Sequence, residues 1–205
     1  MVKMKPMAKI IRKIKFFPAS ALPMILALWI AGCATPPAKP PATPVVDPVQ
    51  IGNPKAGFAV TLRCDRQALH IGEAVRLDLR TAAPGYLNLY FINSSGQTGQ
   101  LLTNYPVQAN EPATFPPAGG KKLRYAPSSP PGVETFILVA TRQPLNLLRR
   151  ADIKNVKKPR TPVAELNMNG SQLVNRLRGA LQRWPTPDWN ATSIRSPLLA
   201  PGSRT

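Results

Sequence analysis

Val75-Arg76-Leu77-Asp78-Leu79-Arg80 alternates apolar and charged residues one by one. Successive side chains of an extended chain point to opposite faces, so Val75, Leu77 and Leu79 share one face and Arg76, Asp78 and Arg80 the other. Such alternation predicts a strand in a sheet with one face on a core and one in water. Working outward, Phe58, Val60, Leu62 and Cys64 oppose Ala59, Thr61, Arg63 and Asp65 in the same period. Cys64 falls on the apolar face and reads as a core residue rather than a reactive thiol. His70-Ile71-Gly72-Glu73 reads as a turn. Pro84-Gly85 turns into Tyr86 to Ile92, where Leu87, Leu89 and Phe91 form one face. Asn93-Ser94-Ser95-Gly96 predicts a hairpin turn, and Thr98 to Thr103 its returning strand. Beyond a loop with Pro106, Pro112, Pro116 and Pro117, Lys121 to Ala126 predicts a further strand. Glu134 to Thr141 follows, with the centre Phe136-Ile137-Leu138-Val139-Ala140 apolar on both faces, as a central strand requires.

The remainder changes character. Arg149, Arg150, Lys154, Lys157, Lys158 and Arg160 crowd a basic insert over residues 149–160, against the single acid Asp152. Ser171 resembles an N-cap, and Leu173, Val174, Leu177, Ala180, Leu181 and Trp184 recur at helical spacing, which predicts one amphipathic helix over 171–184, stopped by Pro185. Packing on the sheet is the expected use of its apolar stripe, ahead of lying on a membrane. Trp189 to Ile194 supplies a last short strand, and residues 196–205 read as a loose tail. The expected fold is therefore mainly β: an antiparallel β-sandwich-like domain over residues 56–195 with one packed C-terminal helix.

Two segments precede it. Lys3, Lys5, Lys9, Arg12, Lys13 and Lys15 form a basic start without an acid, and Phe16 to Ala31 carry no charge. That layout is a secretory signal peptide over residues 1–32. Its apolar run of about 16 residues is shorter than the roughly 20 needed to span a bilayer. Ile30-Ala31-Gly32-Cys33 resembles the bacterial lipobox: an aliphatic residue, two small residues that admit a peptidase, and the cysteine that takes the lipid. Acyl chains add about 0.8 kcal/mol per buried methylene, so diacylglycerol and palmitate on Cys33 would anchor the chain firmly. Ala34, where aspartate would resemble an inner-membrane retention signal, points to the outer membrane, facing the periplasm. Residues 33–55 are rich in Ala, Thr, Pro and Val and read as a semi-extended tether reaching up to roughly 60 Å at about 3.1 Å per residue.

The chain of 205 residues carries a formal charge of +18. Removing residues 1–32 takes away 6 of the 27 basic residues and none of the 9 acids, which leaves +12. Residues 56–141 hold 7 basic and 5 acidic side chains, whereas residues 142–205 hold 12 and 3. A balanced core followed by a cationic region suggests an anionic partner: lipid headgroups, an envelope polymer or an acidic protein. Export and the scarcity of stacking aromatics beside the cations argue against nucleic acid. With Cys33 acylated, Cys64 has no intramolecular partner, so no disulfide framework follows.

His70-Ile71-Gly72-Glu73, Gly85-Tyr86-Leu87-Asn88-Leu89-Tyr90, Gly96 and Leu101-Leu102-Thr103-Asn104 resemble the bacterial domain-of-unknown-function 4384 family. Pro131-Gly132-Val133-Glu134 and Ala140-Thr141-Arg142-Gln143-Pro144-Leu145 resemble its later glycine loop and strand, and the helix followed by Trp189-Asn190-Ala191 its closing segment. The likeness spans roughly residues 57–195. It implies a β-sandwich-like domain attached to envelope, signalling or secretion-associated proteins, and no established activity.

The residues themselves point away from an enzyme. One histidine, His70, has no nearby nucleophile in an elbow, no set of three or four converging ligands is visible, and Gly119-Gly120-Lys121-Lys122 lacks the phosphate-loop pattern. No catalytic residue, metal or cofactor beyond the covalent lipid is expected. The sequence thus predicts a membrane-anchored, non-enzymatic binding or assembly subunit of an envelope complex, with secretion among its settings. An anion-binding module acting through Arg149, Arg150, Lys154, Lys157, Lys158 and Arg160 is the alternative within binding, and an envelope hydrolase the alternative outside it.

Overall fold

In the computed structural model, which describes residues 49, 51–154 and 163–203, twelve elements follow in chain order. They are β1 (Val60–Cys64), β2 (Leu69–His70), β3 (Ala74–Val75), β4 (Leu77–Thr81), β5 (Gly85–Ile92), β6 (Thr98–Val107), β7 (Ala113–Phe115), β8 (Leu123–Arg124), β9 (Gly132–Thr141), β10 (Ala164–Glu165), α1 (Gly170–Leu181) and β11 (Trp189–Leu199). Sheet order is β10-β6-β5-β9-β11-β2 in the large sheet, β1-β4-β7 in a second and β3-β8 in a small third. All pairings are antiparallel except β11 with β2. The fold is mainly β with one packed helix, as the alternation and the helical stripe predict.

The large sheet is covered on both faces. On one, Leu87, Leu89, Phe136 and Leu138 meet Leu62, Leu77 and Leu79 of the three-stranded sheet. On the other, Tyr90, Ile137 and Val139 meet Leu173, Leu177 and Leu181 of α1. This is why Phe136 to Ala140 are apolar without a break: odd and even positions bury into different cores. Burial of a leucine side chain contributes about 1.5–3 kcal/mol, and Leu173, Leu177 and Leu181 are fully buried. The helix stripe is therefore spent on the sheet.

Several boundaries differ from the sequence reading, each for a physical reason. The 75–80 strand divides at Arg76: Val75 pairs with Leu123 in the small sheet, and Leu77 with Cys64 and Phe115 in the three-stranded sheet. Lys121 to Ala126 yields only the two residues of β8. His70 sits in a short strand beside Leu199, not in a turn. The helix runs Gly170–Leu181, one residue earlier and three shorter at its end than 171–184. Its cap is Asn169, not Ser171: Gln172 N donates to Asn169 Oδ1 at 3.0 Å, and Asn169 N to Gln172 Oε1 at 2.9 Å. That reciprocal pair satisfies two amide donors at the helix start. Residues 196–205 are not simply a loose tail, because β11 continues to Leu199. Leu198 is buried and pairs with both Gly132 and Leu69. At the other end Ile51 and Asn53 are buried, and Asn53 Nδ2 donates to the carbonyls of Thr186 and Trp189 at 2.7 and 2.8 Å. The folded part therefore begins before residue 55, where the tether was expected to end.

The returning strand β6 runs past Thr103 to Val107 because a bulge carries it there. Leu87 faces Tyr105 while Leu89 faces Leu102, so Asn88 opposes both Thr103 and Asn104. Asn104 has φ +46, a conformation asparagine tolerates better than most residues. Its amide N donates to Asn88 Oδ1 at 3.1 Å, and its Oδ1 accepts from Asn88 Nδ2 at 3.2 Å and from Leu145 N at 2.9 Å. The buried Asn88 thus has partners for both ends of its amide.

Candidate functional site

The six-stranded sheet is wider than the three-stranded sheet that covers it. Beyond that cover, near the β5–β6 hairpin and β10, lies a concave pocket of about 180 Å³. Its apolar lining is Phe91 of β5, Phe136 of β9, Leu123, Tyr125 and Ala126 in and after β8, and Val163 before β10. Polar groups stand among the lining residues: Asn93 and Gln97 of the hairpin, Arg124, Lys154 and Glu165. An apolar concavity with a few polar groups is the common form of a ligand site.

Local sequence shapes these walls. Phe91 pairs across the ladder with Gly99, and a Cβ there would stand 2.2 Å from Phe91 Cε1 and 3.1 Å from Val163 Cγ1. Only hydrogen at position 99 lets the Phe91 ring lie across β6. The hairpin is closed by Gly96, whose φ of +80 suits glycine, and by Asn93 Oδ1, which accepts from Gln97 N at 2.7 Å.

A buried carboxylate ties two walls together. Glu134, fully buried on β9, accepts from Ser94 N at 2.9 Å and from the Tyr125 hydroxyl at 3.0 Å. Ser94 Oγ also donates to the Pro130 carbonyl at 2.7 Å. Burial raises the Glu134 pKa above its ordinary value, although the Ser94 and Tyr125 donors oppose the rise. The Tyr125 hydroxyl is raised as well, by burial first and by the nearby Glu134 charge second. Glu134 is therefore a positioning residue, tying the β5–β6 hairpin to the segment after β8 beside the pocket. Cys64 is half-buried against the same core, its thiol raised by burial and then by the Asp65 charge, although a backbone donor at Arg66 opposes the rise. A thiol held protonated is a poor nucleophile.

Charge on the pocket's edge is unbalanced. Lys154 Nζ lies 3.3 Å from Glu165 Oε2, which leaves Arg124. Its Nη1 donates to the Gly72 carbonyl at 2.7 Å, and no carboxylate among the described residues pairs with it.

The basic insert is divided by the fold. Asp152, its single acid, is buried. It accepts from Arg149 N at 2.7 Å and from Arg176 of α1 at 3.0 Å, so it pins the segment to the helix. Arg149 and Arg150 are exposed, while Lys154 turns to Glu165 at the pocket. Lys157, Lys158 and Arg160 lie outside the described residues, as do Cys33 and the lipobox residues Ile30, Ala31 and Gly32. Among the described residues no three His, Cys, Asp or Glu side chains group as metal ligands, and no helix is long and apolar enough to cross a membrane.

The pocket was not legible in the sequence. Its walls come from positions scattered between 91 and 165, and nothing in the period-two pattern says which inward residue lies beyond the cover of the second sheet. The one local signal is an aromatic and a glycine equidistant from a hairpin turn, Phe91 and Gly99.

Residues 68–144 match the model of a family described as Domain of unknown function (DUF4384). The match runs from the start of β2 past the end of β9 and includes Gly85, Gly96, Asn104 and Glu134; α1, β10 and β11 lie outside it. No curated protein and no solved structure matches the chain.

Proposed function

We propose that this protein is a lipid-anchored, non-enzymatic binding subunit of a bacterial envelope assembly. Acyl chains on Cys33 hold it at the outer membrane on the periplasmic side, the proline-rich segment supplies reach, and the domain engages a protein partner through the pocket between the β5–β6 hairpin and β8. The observation that carries this reading is the construction of that pocket: an aromatic lining whose walls are fixed by a fully buried glutamate. Burying a carboxyl group costs stability unless hydrogen bonds compensate, and here the compensating donors, Ser94 N and the Tyr125 hydroxyl, come from two walls of the concavity and hold them in register.

The test combines intact mass, membrane fractionation and crosslinking on the native protein, a Cys33→Ala variant and an Ala126→Trp variant that fills the pocket. Acyl mass on the native chain, release of Cys33→Ala from the membrane, and loss of one defined crosslink in Ala126→Trp are the expected results. An unmodified Cys33 with unchanged membrane retention refutes the anchored reading.

The exposed pair Arg149 and Arg150 favours a second reading, in which the basic insert meets an anionic envelope polymer or headgroup. The two separate by salt: contacts led by exposed cations weaken steeply as the screening length falls to about 3 Å at 1 M, whereas an apolar pocket contact persists.

A further inference from the structure

We infer that the pocket takes a single large apolar side chain, aromatic in size, from an acidic segment of a partner protein, with Arg124 meeting the partner's carboxylate. This rests on the binding-subunit reading and names the chemistry of its contact. The size follows from volume: about 180 Å³ is close to the roughly 150 Å³ in which an apolar cavity holds one benzene ring. The ring preference follows from the lining, where the half-buried Phe91 and Tyr125 are aromatic and aromatic pairs favour offset or perpendicular packing. Pre-organisation follows from Gly99 and Glu134: the first lets the Phe91 ring lie across β6, and the second ties the hairpin to Tyr125. The sign of the partner's charge follows from the edge, where, among the described residues, Lys154 is matched by Glu165 and Arg124 by a backbone carbonyl and no carboxylate. A guanidinium with spare donors favours a carboxylate, which it can meet through two parallel hydrogen bonds. A cationic segment would meet like charge, and a small side chain would leave the aromatic lining unfilled.

The probe is N-acetyl-4-fluorophenylalanine, which carries the ring and a carboxylate, compared with its uncharged carboxamide. Binding to the full chain in detergent is read by fluorine NMR of the probe, up to tens of millimolar. Both probes are expected to bind, the carboxylate roughly two- to fivefold tighter because an exposed charge pair contributes modestly. Arg124→Gln should abolish that preference while leaving carboxamide binding in place. Ala126→Trp should abolish both, and circular dichroism should show its fold retained; should it misfold, Ser129→Trp, at another lining position, fills the pocket instead. Absence of binding by either probe, binding unchanged in a folded pocket-filled variant, or equal binding of the two probes overturns the inference. Those outcomes leave the anchored reading standing if Cys33 is acylated and the crosslink survives, whereas an unmodified Cys33 fails that reading without touching probe binding.

Discussion

Replacing Gly85 with alanine places a methyl group where the fold has a neighbouring backbone. A Cβ at position 85 would stand 2.3 Å from the Thr141 carbonyl oxygen, 3.2 Å from its carbonyl carbon and 3.4 Å from Arg142 Cα. Favourable contacts between heavy atoms lie at about 3.5–4.0 Å, so the oxygen is more than 1 Å too close. No side-chain rotation relieves it, because each of these neighbours is main chain of β9 or of the residue that follows it. Strand β5 must therefore draw back from β9 at Tyr86 and Thr141, which are paired in the ladder. Overpacking of this kind costs about 1–3 kcal/mol, and a weakened ladder hydrogen bond adds about 1 kcal/mol; the sum is about 3 kcal/mol. For a domain of 150 residues or more, that lowers Tm by roughly 6–12 °C. Gly179 of α1 is the control, since a Cβ there meets nothing within 4 Å. Alanine in a helix interior gains about 1 kcal/mol over glycine, so Gly179→Ala should raise stability by that amount. Urea unfolding of both variants, followed by circular dichroism on the full chain, reads the opposite signs directly. Gly85→Ala within about 0.5 kcal/mol of the unsubstituted protein, the range of a neutral surface change, would refute the close approach of β5 and β9.

Three further outcomes follow from the same contacts. Leu177→Ala, at a fully buried position of α1 against the sheet, should cost about 2–5 kcal/mol in urea unfolding, and a neutral result would mean that the helix does not pack there. Asn104→Ala loses the bonds to Asn88 and Leu145 and places alanine at positive φ, at about 2–3 kcal/mol; Asn104→Gly should recover only the backbone part, so a glycine variant as stable as the unsubstituted protein contradicts the role given to the side chain, and equal stability of the two variants contradicts the backbone cost. Burial holds Glu134 protonated at pH values where the unfolded chain has already lost that proton, so its contribution is most favourable below the ordinary carboxylate value of 4.5 and falls as pH rises through the folded titration. Glu134→Gln should remove that fall, leaving stability between pH 4.5 and 8 less dependent on pH by about 1.4 kcal/mol for each pH unit between the two titrations; identical pH profiles would show that Glu134 does not titrate as argued.

Local periodicity by itself determined the class of this protein. Leu77, Asp78 and Leu79 declare a strand because alternation at period two has one backbone solution, and Leu173, Val174, Leu177 and Leu181 declare a helix because their spacing matches 3.6 residues per turn. The unbroken run Phe136 to Ala140 even declared two covered faces. The candidate lipid anchor at Cys33 is likewise a purely local signal, read from charge, length and small residues. Tertiary structure decided what local pattern leaves open. Asp152 looked like the lone counter-ion of a basic run, yet its partner is Arg176 on a helix 24 residues away. Ser196 to Leu199 looked loose because a short mixed stretch carries no period, yet Leu198 finds two strands to lie between. The pocket is walled by β5, β9, the segment in and after β8 and the residues about β10, and these are brought together by pairings between residues far apart in the chain. Side-chain patterns report which face of an element is buried; which neighbour buries it, and where that neighbour stops, is fixed only when the whole chain packs.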